Sequence, residues 1–225
     1  MEEKIIKLTE RTIDGLHAYL YELARQNIAE KHYSNILDIG CGTGAWLERV
    51  KTLGFSRLVG IDYEQPPLVH GLDLQRYDIN QNNPPDLGQF DFVSCIEVIE
   101  HIENIGNLLD LLQKSLKHGG TALITTPNIE SLRARMRALV TGKIPSFDSK
   151  SDPTHLCPIL YDPLQRMLCR RGLNIDAVYQ YPSDKSKTLM FTRHVGAITF
   201  ASNVMRAFFP DKFYGDVVIY RISHT

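Results

Sequence analysis

The stretch Ile36-Leu37-Asp38-Ile39-Gly40-Cys41-Gly42-Thr43-Gly44 decides how this chain is read. The apolar run over 35–39 predicts a buried strand. It breaks into three alternating glycines, and an apolar helix is expected from Ala45. Glycine has no Cβ and tolerates positive φ, so such a turn lets bare backbone approach a ligand. The helix start aims unpaired N–H groups and a positive dipole end at the same place. A small molecule with a negative end suits that geometry. Cys41 sits inside the turn, where its small size matters more than its sulfur.

Outward from this turn, apolar runs alternate with helical periodicity. Ile13, Leu16, Leu20, Leu23 and Ile28 predict an amphipathic helix within 12–30. A helix over 45–53 is closed by Gly54, and a strand over 57–61 ends at Asp62. Pro66-Pro67 leaves any second helix short or missing. A third strand is expected between Leu68 and Ile79, and a fourth over 90–96. Leu108, Leu109, Leu111, Leu112 and Leu116 mark a helix expected to stop at Gly119-Gly120. A strand over 121–126 ends at Pro127, and Leu132, Met136, Leu139 and Val140 mark another helix. Residues 142–158, rich in Pro, Ser and Asp, read as a long loop. Asp162-Pro163 opens a helix as N-cap and first-turn proline, and Gly172 closes it. Two late strands are expected near 175–181 and 216–222.

This alternation predicts an α/β fold: a Rossmann-like three-layer αβα sandwich on a mostly parallel sheet. Ligands of such sheets bind beyond the carboxyl ends of the strands. The glycine turn, Asp62, Asp78 and Glu97 all follow strands and are expected to converge there.

A chain of 225 residues with 43% hydrophobic and 23% charged residues can bury a substantial core. Its formal net charge of −1 supplies no global field to draw in nucleic acid or an anionic membrane. Met1-Glu2-Glu3-Lys4 is too acidic and polar for a secretory signal. No apolar run approaches the roughly 20 residues that span a bilayer. Cys41, Cys95, Cys157 and Cys169 form no C-x-x-C pair and no zinc spacing, so reduced thiols and a cytoplasmic location are expected.

Gly40-x-Gly42-x-x-Ala45 also satisfies the loose dinucleotide fingerprint, with Asp62 near the distance expected for a ribose contact. An NAD-dependent oxidoreductase is therefore an alternative. Asp38, two residues before the first glycine, argues against it. A carboxylate there suits a cation such as an amino group and suits a pyrophosphate poorly.

The string Leu37-Asp38-Ile39-Gly40-Cys41-Gly42-Thr43-Gly44 resembles the first motif of the class I S-adenosylmethionine (SAM)-dependent methyltransferases. Val59-Gly60-Ile61-Asp62 and Tyr77-Asp78-Ile79-Asn80 resemble the second and third. Phe90-Asp91-Phe92-Val93 and Glu97-Val98-Ile99-Glu100-His101 look like the fourth strand and its exit. Leu116 to Gly120 and Leu123 to Asn128 look like the following turn and the fifth strand. The segment 155–172 resembles the family's substrate-side region less specifically.

The resemblance implies a seven-stranded sheet whose last pair is antiparallel. It implies SAM as cofactor and S-adenosylhomocysteine as product. Asp38 and the glycine turn would meet the methionine portion, Asp62 the ribose and Asp78 the adenine amino group, with Asp73 as its rival. Cys41, Tyr63, Ile79 and Ile96 join the implied cofactor contacts. Across 1–225 one domain is expected: a helical cap (12–33), a cofactor core (34–128), substrate-side helices with a lid loop (129–172), and a C-terminal hairpin and helix (173–225). A SAM-binding protein of this fold without catalysis is a further alternative.

Glu97, Glu100 and His101 form an E-x-x-E-H cluster, and at a helix start these spacings share one face. Three readings stay open. The residues satisfy neighbouring backbone; His101, with Glu97, acts as a general base; or two carboxylates and a histidine hold Mg²⁺. The last is implied by similarity to ubiquinone-pathway O-methyltransferases.

Arg133, Arg135 and Arg137 read as a solvated helix exterior. His155 either anchors its loop or reaches the site. Trp46 is expected to pack the first helix rather than stack on substrate. The stripe Ala201, Val204, Met205 and Phe208, with Phe209, packs over the sheet or docks on a membrane or second subunit. The acceptor is expected to be a small molecule such as a metabolite, sugar or lipid-linked intermediate. No basic, aromatic-interleaved tract marks nucleic acid.

Overall fold

A computed structural model describes residues 8–29, 34–81, 84–183 and 214–225. The strand leading into the glycine turn is β1 (Asn35–Ile39). It pairs in parallel with β2 (Arg57–Asp62) on one side and β4 (Phe90–Ile96) on the other. With β3 (Asp73–Arg76), β5 (Leu116–Pro127), β6 (Leu173–Tyr181) and β7 (Val217–His224), the seven-stranded sheet runs β3-β2-β1-β4-β5-β7-β6. The first five strands are parallel; β7 is antiparallel to both β5 and β6. Strand order reverses between β1 and β4, which opens a crevice at their carboxyl ends.

Both faces of the central strands are covered, which explains why they are mostly apolar along their length. Ile36, Phe92 and Leu123 pack against α1 (Leu16–Ala29) and α2 (Ala45–Val50) through Leu20, Trp46 and Leu47. Leu37, Ile39 and Val93 turn the other way, toward α3 (Ile105–Ser115) and α5 (Tyr161–Cys169) through Leu108, Leu112 and Leu168. Each fully buried leucine contributes about 2 kcal/mol of transfer free energy. A 3-10 turn, Lys51–Leu53, follows α2 and ends on the left-handed Gly54.

Three expectations need correcting. α3 does not run to Gly119-Gly120; it ends at Ser115 and β5 begins at once. The two glycines form an irregularity inside β5, where pairing with β4 jumps from Phe90↔Leu116 to Phe92↔Thr121. A Cβ on Gly120 would lie 2.9 Å from the Lys117 carbonyl and 3.0 Å from that of Asp91, so chain proximity explains it.

Asp162 is not the N-cap of α5. Leu160 holds that position without a side-chain bond, and the Glu130 carboxylate accepts from the Tyr161 N–H instead.

The arginines of α4 (Leu132–Thr141) are not simply solvated. Arg133 pairs with Asp216 at 2.8 Å with both side chains mostly buried, Arg137 pairs with Asp148, and Arg135 lies 3.8 Å from Glu130. Leu139 and Val140, which marked this helix, are exposed, and the residue it buries is Ala134.

The entrance to α1 is fastened from the far end of the chain. The Tyr181 hydroxyl donates to the Asp14 carbonyl at 2.6 Å. The next residue is Gly15 (φ 81°), where a Cβ would lie 2.4 Å from that hydroxyl. The stripe from Ala201 to Phe209 and the helix expected there lie outside the described residues. Among the described residues no helix is long and apolar enough to cross a membrane.

Candidate active site

The carboxyl ends of β1, β2 and β4, with the segment after β3, open on a cleft of about 740 Å³. Its wall includes Asp38, Gly40, Cys41, Gly42, Asp62, Tyr63, Asp78, Ile79 and Ile96, together with Glu97 and His101. Gly44 is not on that wall. It precedes α2 in the left-handed conformation (φ 85°).

The glycine turn departs from one expectation. Its N–H groups do not fan out toward a ligand. Those of Gly40 and Cys41 donate to the Ile61 carbonyl, that of Gly42 to Asp62 Oδ2 at 2.8 Å, and that of Gly44 to the Cys41 carbonyl. What the turn offers is close backbone. Gly42 (φ 52°) has open space where a Cβ would stand. A pyrophosphate needs free N–H donors; a ligand with a cationic end does not.

Acids line the same wall. Asp38 and Ser94 are register partners across β1 and β4, on the α1 and α2 side. Trp46 Nε1 donates to Ser94 Oγ at 2.9 Å, and Ser94 donates to Asp38 Oδ1 at 2.7 Å. Trp46 therefore packs, as expected, and also anchors a relay. Asp38 is only 3% exposed. Burial pushes its carboxyl up to about 7, with the Ser94 bond opposing and Asp62 adding to the rise. A buried acceptor of this kind calls for a cation.

Asp62 accepts from Gly42 and Glu64 N–H groups, one on each oxygen. Each oxygen keeps a further lone pair for a ligand hydroxyl. Asp78 accepts from the Asn80 N–H and faces the cleft, whereas its rival Asp73 pairs with Gln75 and is not among the lining residues.

At the other end of the wall the E-x-x-E-H cluster splits. Only Ile99–His101 forms a 3-10 turn, and Glu97 stands outside it with φ 52°, a strained conformation for a non-glycine residue. Glu97 is locked to Thr125, whose hydroxyl donates to Glu97 Oε1 at 2.8 Å and accepts from the Glu97 N–H. The three residues therefore do not share one helix face. Burial raises the carboxyls of both Glu97 and Glu100.

His101 Nδ1 lies 3.0 Å from the Thr154 carbonyl. The Thr154 hydroxyl also lies 2.9 Å from Nδ1 but gives its own proton to Asp152 Oδ1 at 2.6 Å, so both Thr154 oxygens accept, Nδ1 carries the proton and Nε2 holds the lone pair. Burial, with His155 nearby, lowers the His101 pKa, which keeps the ring neutral. His155 anchors its loop through Nδ1 to the Ser146 carbonyl at 2.9 Å and also packs edge-on against His101 at 4.7 Å.

Sequence reasoning missed Ser94, a lone hydroxyl in an apolar strand with no motif around it. It also missed the segment before α1. Thr9, Arg11 and Thr12 line the cleft with His17 of the first turn of α1, and His17 sits edge-on to Trp46. The apolar spacing that located α1 carries no sign of which polar residues face inward.

Together, a mostly parallel sheet with a switch point and a cleft of acids beside a bare glycine turn define a Rossmann-like domain whose cleft suits a ligand with a cationic end. A family model described as a methyltransferase domain matches residues 7–178. The chain belongs to that family, whose cofactor is S-adenosylmethionine. It is 32% identical over 113 residues to the mitochondrial ubiquinone biosynthesis O-methyltransferase of Dictyostelium discoideum, covering 42% of this chain and 35% of that one. It is 30% identical over 148 residues to the bifunctional methionine biosynthesis protein MetXA/MetW of Rhodopirellula baltica, covering 57% of this chain and 23% of that one. The aligned regions thus span about a third or less of these relatives. A SAM-dependent methyltransferase from Archaeoglobus fulgidus shares the fold, with TM-score 0.58 and 20% identity over 91% of this chain and 94% of that one.

Proposed function

We propose that this protein transfers the methyl group of SAM to a hydroxyl of a small molecule. The observation that carries this reading is the buried Trp46–Ser94–Asp38 relay beside a turn in which the Gly40, Cys41, Gly42 and Gly44 N–H groups are already committed. That pairing favours the ammonium of SAM over the pyrophosphate of a dinucleotide. In this reading Asp38 holds the ammonium, Gly40, Cys41, Gly42 and Gly44 shape the methionine end, and Asp62 takes the ribose hydroxyls. Asp78 accepts from the adenine amino group, with Tyr63, Ile79 and Ile96 flanking it.

Methyl transfer from a sulfonium has a good leaving group, so the protein's task is alignment and exclusion of water. A hydroxyl acceptor must also lose its proton. The Nε2 lone pair of His101 and the Glu97 carboxylate lie on the wall where that proton would go. Likeness to the Dictyostelium enzyme supports O-methylation. A small metabolite, sugar or lipid-linked acceptor fits the cleft better than nucleic acid, given the near-neutral net charge. A cytoplasmic site of action belongs to the same proposal. Homodimer formation and peripheral membrane contact would involve the stripe from Ala201 to Phe209.

Calorimetry with SAM and with NAD tests the cofactor. SAM is expected to bind and NAD is not; NAD binding without SAM binding overturns the reading. Asp62→Ala is expected to weaken SAM more than about tenfold, roughly 1.4 kcal/mol. Release of S-adenosylhomocysteine from pools of hydroxylated metabolites then identifies the acceptor.

A further inference from the structure

The loop over 142–158 closes against the residue that precedes His101. The Leu156 and Cys157 N–H groups both donate to the Glu100 carbonyl, at 2.8 and 2.9 Å. That two-bond clasp fixes where the residues just before it stand. Further back the loop braces itself: His155 Nδ1 donates to the Ser146 carbonyl, and Arg137 of α4 pairs with Asp148.

Thr154 is thereby held against the His101 ring, its carbonyl 3.0 Å and its hydroxyl 2.9 Å from Nδ1. The hydroxyl lies 2.6 Å from Asp152 Oδ1, which also accepts the Thr154 N–H at 2.9 Å. These two bonds hold the Asp152 carboxyl below its ordinary value, so it is ionised at neutral pH. An ionised carboxylate only accepts. The single hydroxyl proton therefore points to Asp152, and the hydroxyl lone pair faces the Nδ1–H. The result is one directed chain of carboxylate, hydroxyl and imidazole, with the Nε2 lone pair at its far end. Hydrogen bonds in such a chain polarise one another.

Two other titratable groups face the ring. A carboxyl oxygen of Glu100 and a ring nitrogen of His155 lie within 4.8 Å of a His101 nitrogen. Burial raises the Glu100 carboxyl well above its ordinary value, so it stands there uncharged. His155 works against a charge on His101, whereas Asp152 favours one. Of the three, Asp152 alone brings negative charge to the ring.

We propose that Thr154 and Asp152 are positioning residues for His101, and that through them the loop prepares Nε2 to take the proton of the acceptor hydroxyl. This rests on the methyl-transfer reading. As Nε2 accepts that proton, the acceptor oxygen bonds to the methyl carbon and the carbon–sulfur bond breaks. The electron pair of that bond stays on sulfur, which becomes a neutral thioether, and the positive charge passes to the imidazolium. Asp152 meets that charge through the Thr154 hydroxyl.

The test compares three variants of the full chain. Thr154→Val cuts the relay and keeps the carbonyl, Thr154→Ser rebuilds it, and Asp152→Asn keeps an acceptor but removes the charge. SAM calorimetry checks folding, with affinities expected within about twofold of native. Nitrogen-15 NMR of the imidazole, assigned with His101→Gln, follows the ring without any acceptor. The ring is expected to take its second proton at lower pH in Thr154→Val and Asp152→Asn, and at the native pH in Thr154→Ser. With the acceptor found by S-adenosylhomocysteine release, kcat is expected to fall at least about tenfold in Thr154→Val and about threefold in Asp152→Asn. KM should stay within about twofold, and Thr154→Ser should restore kcat. A loop anchor with no part in the chemistry leaves both readouts where they are. Unchanged ring titration in Thr154→Val overturns the proposal, as does a loss of kcat that Thr154→Ser fails to restore. Shifted titration in a protein that releases no S-adenosylhomocysteine from any pool sustains the positioning of His101 and sinks the methyl-transfer reading.

Discussion

Asp38 shows how one residue links strand register to ligand chemistry. It is buried because β1 is central, and oriented because Ser94 is its register partner and Trp46 steadies Ser94. Ser94→Ala removes the middle of that relay and leaves two buried polar groups unpaired. The expected cost is about 1–3 kcal/mol of stability, measured by urea unfolding, with SAM binding about tenfold weaker. The relay also predicts a pH dependence. With the Asp38 carboxyl near 7, its charged form grows as pH rises from 6 to 8. SAM affinity should therefore strengthen over that interval, and calorimetry of Asp38→Asn should show a flat and weaker response.

At the scale of elements, legibility followed burial. β1 and β4 were readable to the residue because strands buried on both faces are mostly apolar, with only Asp38 inside β1 and Asp91 and Ser94 inside β4 breaking the pattern. Gly119-Gly120 misled because a glycine pair reads as a helix stop, while here it lets β5 pass close to the Asp91 and Lys117 carbonyls. Asp162-Pro163 suggested a cap that a distant carboxylate, Glu130, supplies instead. Local sequence cannot show a partner 31 residues away. The acids of the cleft were legible because they lie near the carboxyl ends of strands, whereas Ser94 and the inward face of the segment before α1 depend on tertiary packing.

Gly60 belongs to this scale. A Cβ there would lie 2.8 Å from both the Cβ and Sγ of Cys41 and from Leu74. Gly60→Ala is expected to destabilise the domain by about 1–3 kcal/mol through overpacking, and Cys41→Gly in the same chain should recover part of it. Chemical unfolding of the single and double variants measures both.

For the whole molecule, two aspartates give opposite pH slopes. Burial opposes ionisation of Asp91, but the Lys117 ion pair and the Ser34 and Asn35 N–H groups outweigh it, so its pKa is lowered. Its contribution is present above the unfolded value near 3.8 and is lost as pH falls through the folded value. Asp38 is raised, so the folded state holds that proton more tightly and its contribution fades as pH rises from about 4 to about 7. Melting curves of the SAM-free protein should show the Asp38→Asn variant gaining relative to the native chain as pH rises from about 4 to about 7. Saturating SAM should reverse that advantage, since the ammonium pairs with the ionised carboxylate.

The order β5-β7-β6 has a consequence for synthesis on the ribosome. The final strand is an interior one, flanked on both sides by strands made earlier. The cleft wall lies within the first 102 residues, apart from Asp152, Pro153, Thr154 and Leu156. A nascent chain therefore emerges with its ligand wall translated while β5 still has an open edge and β6 has nothing to pair with. β7 alone fills that gap, and Tyr181, at the end of β6, can then hold the segment at Asp14 that leads into α1.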